Sequence, residues 1–216
     1  MVEFTLAQKV AVWLLPVLFA VTLHEVAHGY VAKLLGDNTA ESLGRLSLNP
    51  LHHIDLVGTV LVPALLMATG GFIFGWAKPV PVDFNRLRHP KRDMALVAFA
   101  GPGANLLMAV IWALIARLAQ GLNFEFVTVP LTYMGLAGIG INVVLALLNL
   151  LPIPPLDGGR IAVGLLPDNL AFQIARIEPY GFLILLVLIS TGMLNNVLGL
   201  PVTIVQRALM HVAGVG

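Results

Sequence analysis

Cysteine is absent from this 216-residue chain. That removes disulfides, thiolate metal sites and cysteine nucleophiles together, and it leaves the redox compartment undetermined. Charge is almost as scarce. Only 11% of residues are Asp, Glu, Lys or Arg and 58% are hydrophobic, against about 25% charged in an ordinary soluble domain. So few charges cannot cover the surface of a water-soluble fold of this size. The bilayer is the natural solvent, and the length allows about five or six helical spans with short loops. A net charge of +1 supplies no field toward nucleic acid, and no nucleic-acid partner is expected. Low-complexity tracts and usable internal repeats are missing too. The apolar run from Val10 to Leu23 leads into His24 and Glu25 rather than into an A-x-A cleavage site, so this first segment is expected to stay in the protein.

What is there is a series of apolar segments, read as one membrane-embedded domain over residues 1–216. The first runs from about Val10 to Leu35. A polar connector follows, Gly36 to Asp55, in which the alternation from Ser42 to Leu48 suits a short β-strand. The second segment, Leu56 to Phe74, is apolar but carries Gly58, Pro63, Gly70 and Gly71. Gly75 to Val82 is expected to be extended because of its prolines. Lys78, Arg86, Arg88, Lys91 and Arg92 make the next loop the basic one, and the positive-inside rule points it to the cytoplasm. Met94 to Leu118 and Leu131 to Leu151 read as long spans. Asp168 to Glu178 is amphipathic, with Arg176 and Glu178 on a solvated face, and Tyr180 to Leu198 is a fifth apolar segment. Pro201 to Val215, interrupted by Gln206, Arg207 and His211, suits a marginal sixth span or an interfacial helix. The fold class expected is an all-α polytopic membrane protein with a short membrane-associated β hairpin or re-entrant segment.

His24-Glu25-Val26-Ala27-His28 is an H-E-x-x-H pattern. On a helix the two histidines lie about 40° apart around the axis and one turn apart along it, so both rings can reach one zinc ion. Glu25 lies close enough to take a proton from water that the metal activates, without itself being a ligand. Chance placement is disfavoured because ionisable residues inside an apolar segment are costly. Two histidines leave a catalytic zinc one protein ligand short. No third ligand follows at metzincin spacing, and Asp37 and Glu41 sit beyond Gly36 in the polar connector. Asp157 is the better candidate. It follows Pro152, Pro154 and Pro155, which unwind the end of a span, and unwound backbone at membrane depth is tolerated where it lines a cavity. His52 and His53, beside Asn49 and Pro50, suit an interfacial or hydrogen-bonding role.

H-E-x-x-H in the first span, Ala100-Gly101-Pro102-Gly103-Ala104-Asn105 in a middle span, and Asn149-x-x-Pro152 followed by Asp157-Gly158 together resemble the site-2 protease family of intramembrane zinc metalloproteases. The resemblance implies one Zn²⁺ held by His24, His28 and Asp157, with Glu25 catalytic and Asn149 beside the scissile carbonyl as an oxyanion partner. It further implies transmembrane protein substrates in the bilayer of a prokaryotic inner membrane. Gly101, Pro102 and Asn105 match the family's middle-span motif, read as close helix packing plus one polar contact. Residues Arg45 to Leu48 and Phe74 to Val82 are similar to the family's membrane-associated strands, which would clamp an extended substrate. No PDZ domain lies between the spans. Oligomeric state, trigger and substrate identity are not legible. The alternatives are a prenyl-protein protease type of membrane zincin, or a metal transporter or sensor using His24 and His28 as a transit site.

Segment lengths add a topological expectation. At 1.5 Å per residue, His24, His28 and Asn149 all fall near the C-terminal ends of their spans. Segments one and four must then run in the same direction, although two apolar segments intervene. Leu56 to Val82 is therefore expected to be re-entrant, beginning and ending on the cytoplasmic side with the zinc nearer that face.

Overall fold

The computed structural model describes residues 5–62, 65, 77–122 and 124–215. Helix α1, Leu6–Leu34, starts in a capping box: Gln8 N–H donates to the Thr5 hydroxyl, and the Gln8 side chain accepts from Thr5 N–H at 2.9 Å. A one-turn α2, Thr39–Ser42, follows. Helix α3, Pro90–Ala119, opens with Pro90, whose missing N–H would have had no helical partner. Helix α4 is Glu125–Asn149. Among the described residues four further α-helices follow it: α5 Asp157–Leu165, α6 Asp168–Ala175, α7 Glu178–Ser190 and α8 Met193–Ala213.

Helix α3 is the axis of the bundle. Its N-terminal half meets the C-terminal half of α1 through Val97 against His28 and Asn105 against Ala20 and His24. Its C-terminal half meets α4, with Trp112 against Gly138 and Ala116 against Gly135. Both neighbours are antiparallel to α3, so α1 and α4 run in the same direction, as the segment arithmetic requires. The returning chain is tied at its root, where Arg88 N–H donates to Leu35 O at 3.0 Å. Whatever path lies between Leu35 and Arg88 thus begins and ends on one side. The centre of the expected re-entrant segment, residues 63–64 and 66–76, lies outside the described residues. Residues Leu56–Leu61 just before it form one wide helical turn capped by Asp55.

The core between α1, α3, α4 and α8 is built from small residues around one large ring. Ala109, Ala113, Ala116, Val143 and Ala213 are fully buried, and Met108, Trp112 and Ile139 are buried beside them. Much of the large apolar surface instead points outward, including Trp13 and Leu14 on α1, Leu107 and Leu114 on α3, and Leu183 and Val187 on α7. A lipid-facing exterior accounts for that pattern. By length and composition α1 over Val10–Leu34, α3 and α4 can each cross a bilayer, and α6 with α7, bent by 65°, makes a fourth if counted as one span.

Among the described residues that makes three or four candidates, against the five to six expected of the whole chain. The fifth apolar segment does not run through to Leu198. It breaks at Gly192, whose φ of 72° favours glycine, and the chain restarts as α8, which absorbs the tail. Among the described residues there is also no strand. Residues 43–49 carry no regular structure, and 77–83 is extended but makes no ladder, since Pro79 and Pro81 have no N–H to give.

Candidate metal centre

The helical turn from His24 to His28 projects both imidazoles toward α3, where Gly101 leaves room for them. A Cβ at position 101 would stand 2.4 Å from His28 Nε2 and 2.6 Å from His24 Cε1. His28 Nδ1 lies 2.7 Å from Val97 O, an acceptor, so that nitrogen carries the proton. His24 Nδ1 lies 2.6 Å from Asn105 Oδ1. The identity of that amide oxygen follows from its other contacts. Asn105 Nδ2 donates to Ala20 O at 3.1 Å and to Asn142 Oδ1 at 2.8 Å, and Asn142 Nδ2 donates to Gly138 O at 2.9 Å. Asn105 can therefore only accept from His24. When neutral, each histidine is thereby held as the tautomer that leaves Nε2 bare.

The two bare nitrogens lie 3.1 Å apart, and Asp157 Oδ2 lies 3.2 and 3.4 Å from them. That carboxylate oxygen is buried with no hydrogen-bond donor. With both rings neutral, three lone-pair atoms converge here, an arrangement that is repulsive unless a cation joins them. Tetrahedral ligands about 2.0–2.1 Å from a zinc ion stand roughly 3.3 Å from one another, which is the spacing observed. The residues fit the metal, and Asp157 fits as the third ligand.

Asp157 arrives from the far side because of a tight approach of backbone. The Pro152–Leu156 turn delivers it to the first turn of α5, and Gly158 and Gly159 lie directly against that turn. A Cβ on either would come within 2.4 Å of the carbonyl of Leu151 or the nitrogen of Pro154. Around the three ligands is a cavity of about 190 Å³ that also receives Glu25, Asn149, Val80, Phe84 and Arg160. Glu25 Oε2 accepts from Val80 N–H at 2.8 Å. Asn149 gives one amide proton to Leu145 O at 3.0 Å, one turn back in its own helix. All five residues expected at the site are therefore in one cavity.

The competing acids are used elsewhere. Glu41 pairs with Lys33 at 2.6 Å. Asp37 is buried and accepts from Thr39 N–H, the Thr39 hydroxyl and Asp83 N–H. Burial alone would raise its pKa, but those donors and the nearby Arg86 outweigh it and hold the carboxyl below its ordinary range. His53 is buried and bonded through Nε2 to Ser47 O at 2.8 Å, while His52 is exposed, so neither joins the centre.

Sequence reasoning missed Asn142, the Val97 carbonyl, the Val80 amide and Arg160. Asn142 had a signal, being an amide inside an apolar helix. The Val80 amide had a fainter one, as the single N–H between two prolines. A backbone carbonyl such as that of Val97 leaves no trace in residue type.

No family model matches the chain, and no solved structure matches it. Curated relatives do. The chain is 40% identical over 180 residues to the Bacillus subtilis protein named "Putative zinc metalloprotease YwhC", covering 82% of this chain and 79% of that one. It is 35% identical over 182 residues to "Putative zinc metalloprotease Rip2" of Mycolicibacterium smegmatis, covering 83% of this chain and 66% of the relative. Rip2 of Mycobacterium tuberculosis H37Rv is 31% identical over 181 residues, with the same coverage on both sides.

Proposed function

Because the chain belongs to the site-2 protease family of zinc metalloproteases, we propose that it is an intramembrane zinc endopeptidase, which hydrolyses peptide bonds within or near the transmembrane segments of other membrane proteins. The observation that carries this reading is the meeting of His24, His28 and Asp157 with Glu25 in one cavity on a bundle of apolar helices.

In this reading His24, His28 and Asp157 hold one Zn²⁺. When bound, it acidifies water and polarises the scissile carbonyl. Asn105 and Val97 keep the two imidazoles oriented as ligands, each by an Nδ1–H bond on the side away from the metal. Glu25 takes the proton released as water attacks and returns it to the leaving amine. Asn149 has a second amide proton beyond the one spent on Leu145, and offers it to the developing oxyanion. The extended residues 77–83 form one wall, along which an unwound substrate can lie.

The basic residues Arg86, Arg88, Lys91 and Arg92 stand at the N-terminus of α3, and the charge rule assigns that end, with the zinc, to the cytoplasmic side of an inner membrane. The fuller topology of five to six spans, with 56–82 re-entrant and one domain over 1–216, is part of the same proposal. The partners are membrane-protein substrates and the bilayer, and no nucleic acid.

The test is purified Glu25→Gln beside wild type, with zinc content and cleavage of a model transmembrane peptide both measured. Retained zinc with turnover lower by about 10²–10⁴-fold is expected. Undiminished cleavage would remove Glu25 from the chemistry. Zinc flux with no cleavage by either protein would favour transport.

A further inference from the structure

We infer that the backbone N–H of Val80, set in place by the Arg45 guanidinium, is the positioning group for the Glu25 carboxylate; this rests on the reading of Glu25 as the proton-transfer residue. The contact is direct, with Val80 N 2.8 Å from Glu25 Oε2. It takes one carboxylate oxygen and leaves Oε1 for the reacting proton. Residue 80 is suited to the task because Pro79 and Pro81 flank it. Its neighbours have no N–H to compete, and the prolines keep the segment extended.

Three further contacts fix where that N–H points. Arg45 donates through one terminal nitrogen to Lys78 O at 3.1 Å and to Pro79 O at 3.4 Å, the two carbonyls just before it. Lys78 N–H donates to His53 O at 2.9 Å, which ties the same extended segment to the connector. Beneath it, Gly29 lies one helical turn after Glu25, on the same face of α1. Any Cβ at position 29 would stand 2.7 Å from Val80 Cγ1 and 2.6 Å from Leu46 Cδ2. The glycine lets the extended segment sit low enough for its amide to reach the carboxylate. Arg45, Gly29 and the two prolines thus converge on the placement of one donor, and Arg45 acts on the reaction only through Val80.

The experiment compares Val80→Pro with Val80→Ala, which share the loss of the valine side chain and differ in the N–H. With a model transmembrane peptide, kcat of Val80→Pro should fall about 10–100-fold below that of Val80→Ala, with KM within about twofold and zinc content equal. Arg45→Gln should lower kcat in the same way but less, Arg45→Lys should recover part of the loss, and adding Arg45→Gln to Val80→Pro should cost nothing more. Equal kcat for the two position-80 variants overturns the inference. A faster Val80→Pro also does, since the contact would then be a latch on Glu25, and so does a loss confined to KM. Should Val80→Pro fail to fold, the Arg45 pair decides alone, and an Arg45→Gln kcat equal to wild type overturns the proposal. These outcomes are separable from failure of the protease reading itself, which is signalled by wild type and Glu25→Gln behaving alike.

Discussion

The two halves of α3 use the same kind of residue for different ends. In the N-terminal half, Gly101 is small so that two imidazoles can lie against the helix, and Asn105 is polar so that one of them is held as a ligand. In the C-terminal half, α3 supplies the bulk and α4 supplies the glycine. A Cβ at Gly138 would stand 2.2 Å from the Trp112 ring, and one at Gly135 would stand 2.6 Å from Ala116 Cβ. One close helix approach seats functional side chains, and the other fills a core. Close packing at a glycine is therefore not informative by itself. What distinguishes the halves is whether the group received is titratable or apolar.

That distinction can be broken by experiment. The largest effect is expected for Gly101→Ala, whose methyl would occupy the space of His28 Nε2 and His24 Cε1. The rings must turn away from Asp157, so zinc content and turnover should both collapse while the helical fold persists. Zinc retained at wild-type stoichiometry would mean that α3 can back off without disturbing the centre. Asn105→Ala should be milder. It removes the acceptor that fixes the His24 tautomer and leaves Asn142 short of a donor, and loss of such an outer partner lowers metal affinity or activity about 10–100-fold. Titration with a competing chelator measures the affinity; an unchanged value would show that His24 needs no partner.

Gly138→Ala tests the other half. The added methyl collides with a buried indole, and overpacking of this kind costs about 1–3 kcal/mol. Thermal stability in detergent should fall, while the folded fraction keeps its zinc and its kcat. If kcat fell with stability held, the two halves of α3 would not be separable.

The difference between the halves also explains what was legible beforehand. Helices α1, α3 and α4 were visible because long apolar runs leave few alternatives in a membrane. His24, Glu25, His28 and Asp157 were visible because titratable residues there are expensive and few. The parallel course of α1 and α4 followed from counting residues to the site. The break at Gly192 was harder to see, since Gly and Ser occur inside many apolar spans and only the positive φ separates a joint from a tolerated glycine. The expected strands were misjudged because alternation at Ser42–Leu48 satisfies one partner only, and the other partner's prolines withhold their donors. Asn105 was assigned a polar contact, but with what could not be read, because its three partners come from α1 and α4 through packing.

The smallest expected effect belongs to the site half, at the root where α1 meets the returning chain. Asp37 draws the Thr39 and Asp83 donors together there, beside Leu87 and Val97, which pack with Ala32. Its folded pKa is lowered from 3.8 because those donors and Arg86 outweigh burial. A carboxyl depressed in the folded state contributes stability that is fully present above its unfolded value. That contribution is lost as pH falls from about 4 through the lower folded value. Asp37→Asn keeps the shape without the charge, so it should lower Tm at neutral pH by about 2–4 °C, equivalent to about 1 kcal/mol in a chain of this size. The gap to wild type should hold from pH 6 to about pH 4 and narrow as the melts are carried below it. Gly138→Ala, lying in the other half, should show a Tm deficit that does not change over the same range. A pH-independent deficit for Asp37→Asn would mean that its hydrogen-bond geometry, not its charge, holds this end of the bundle together.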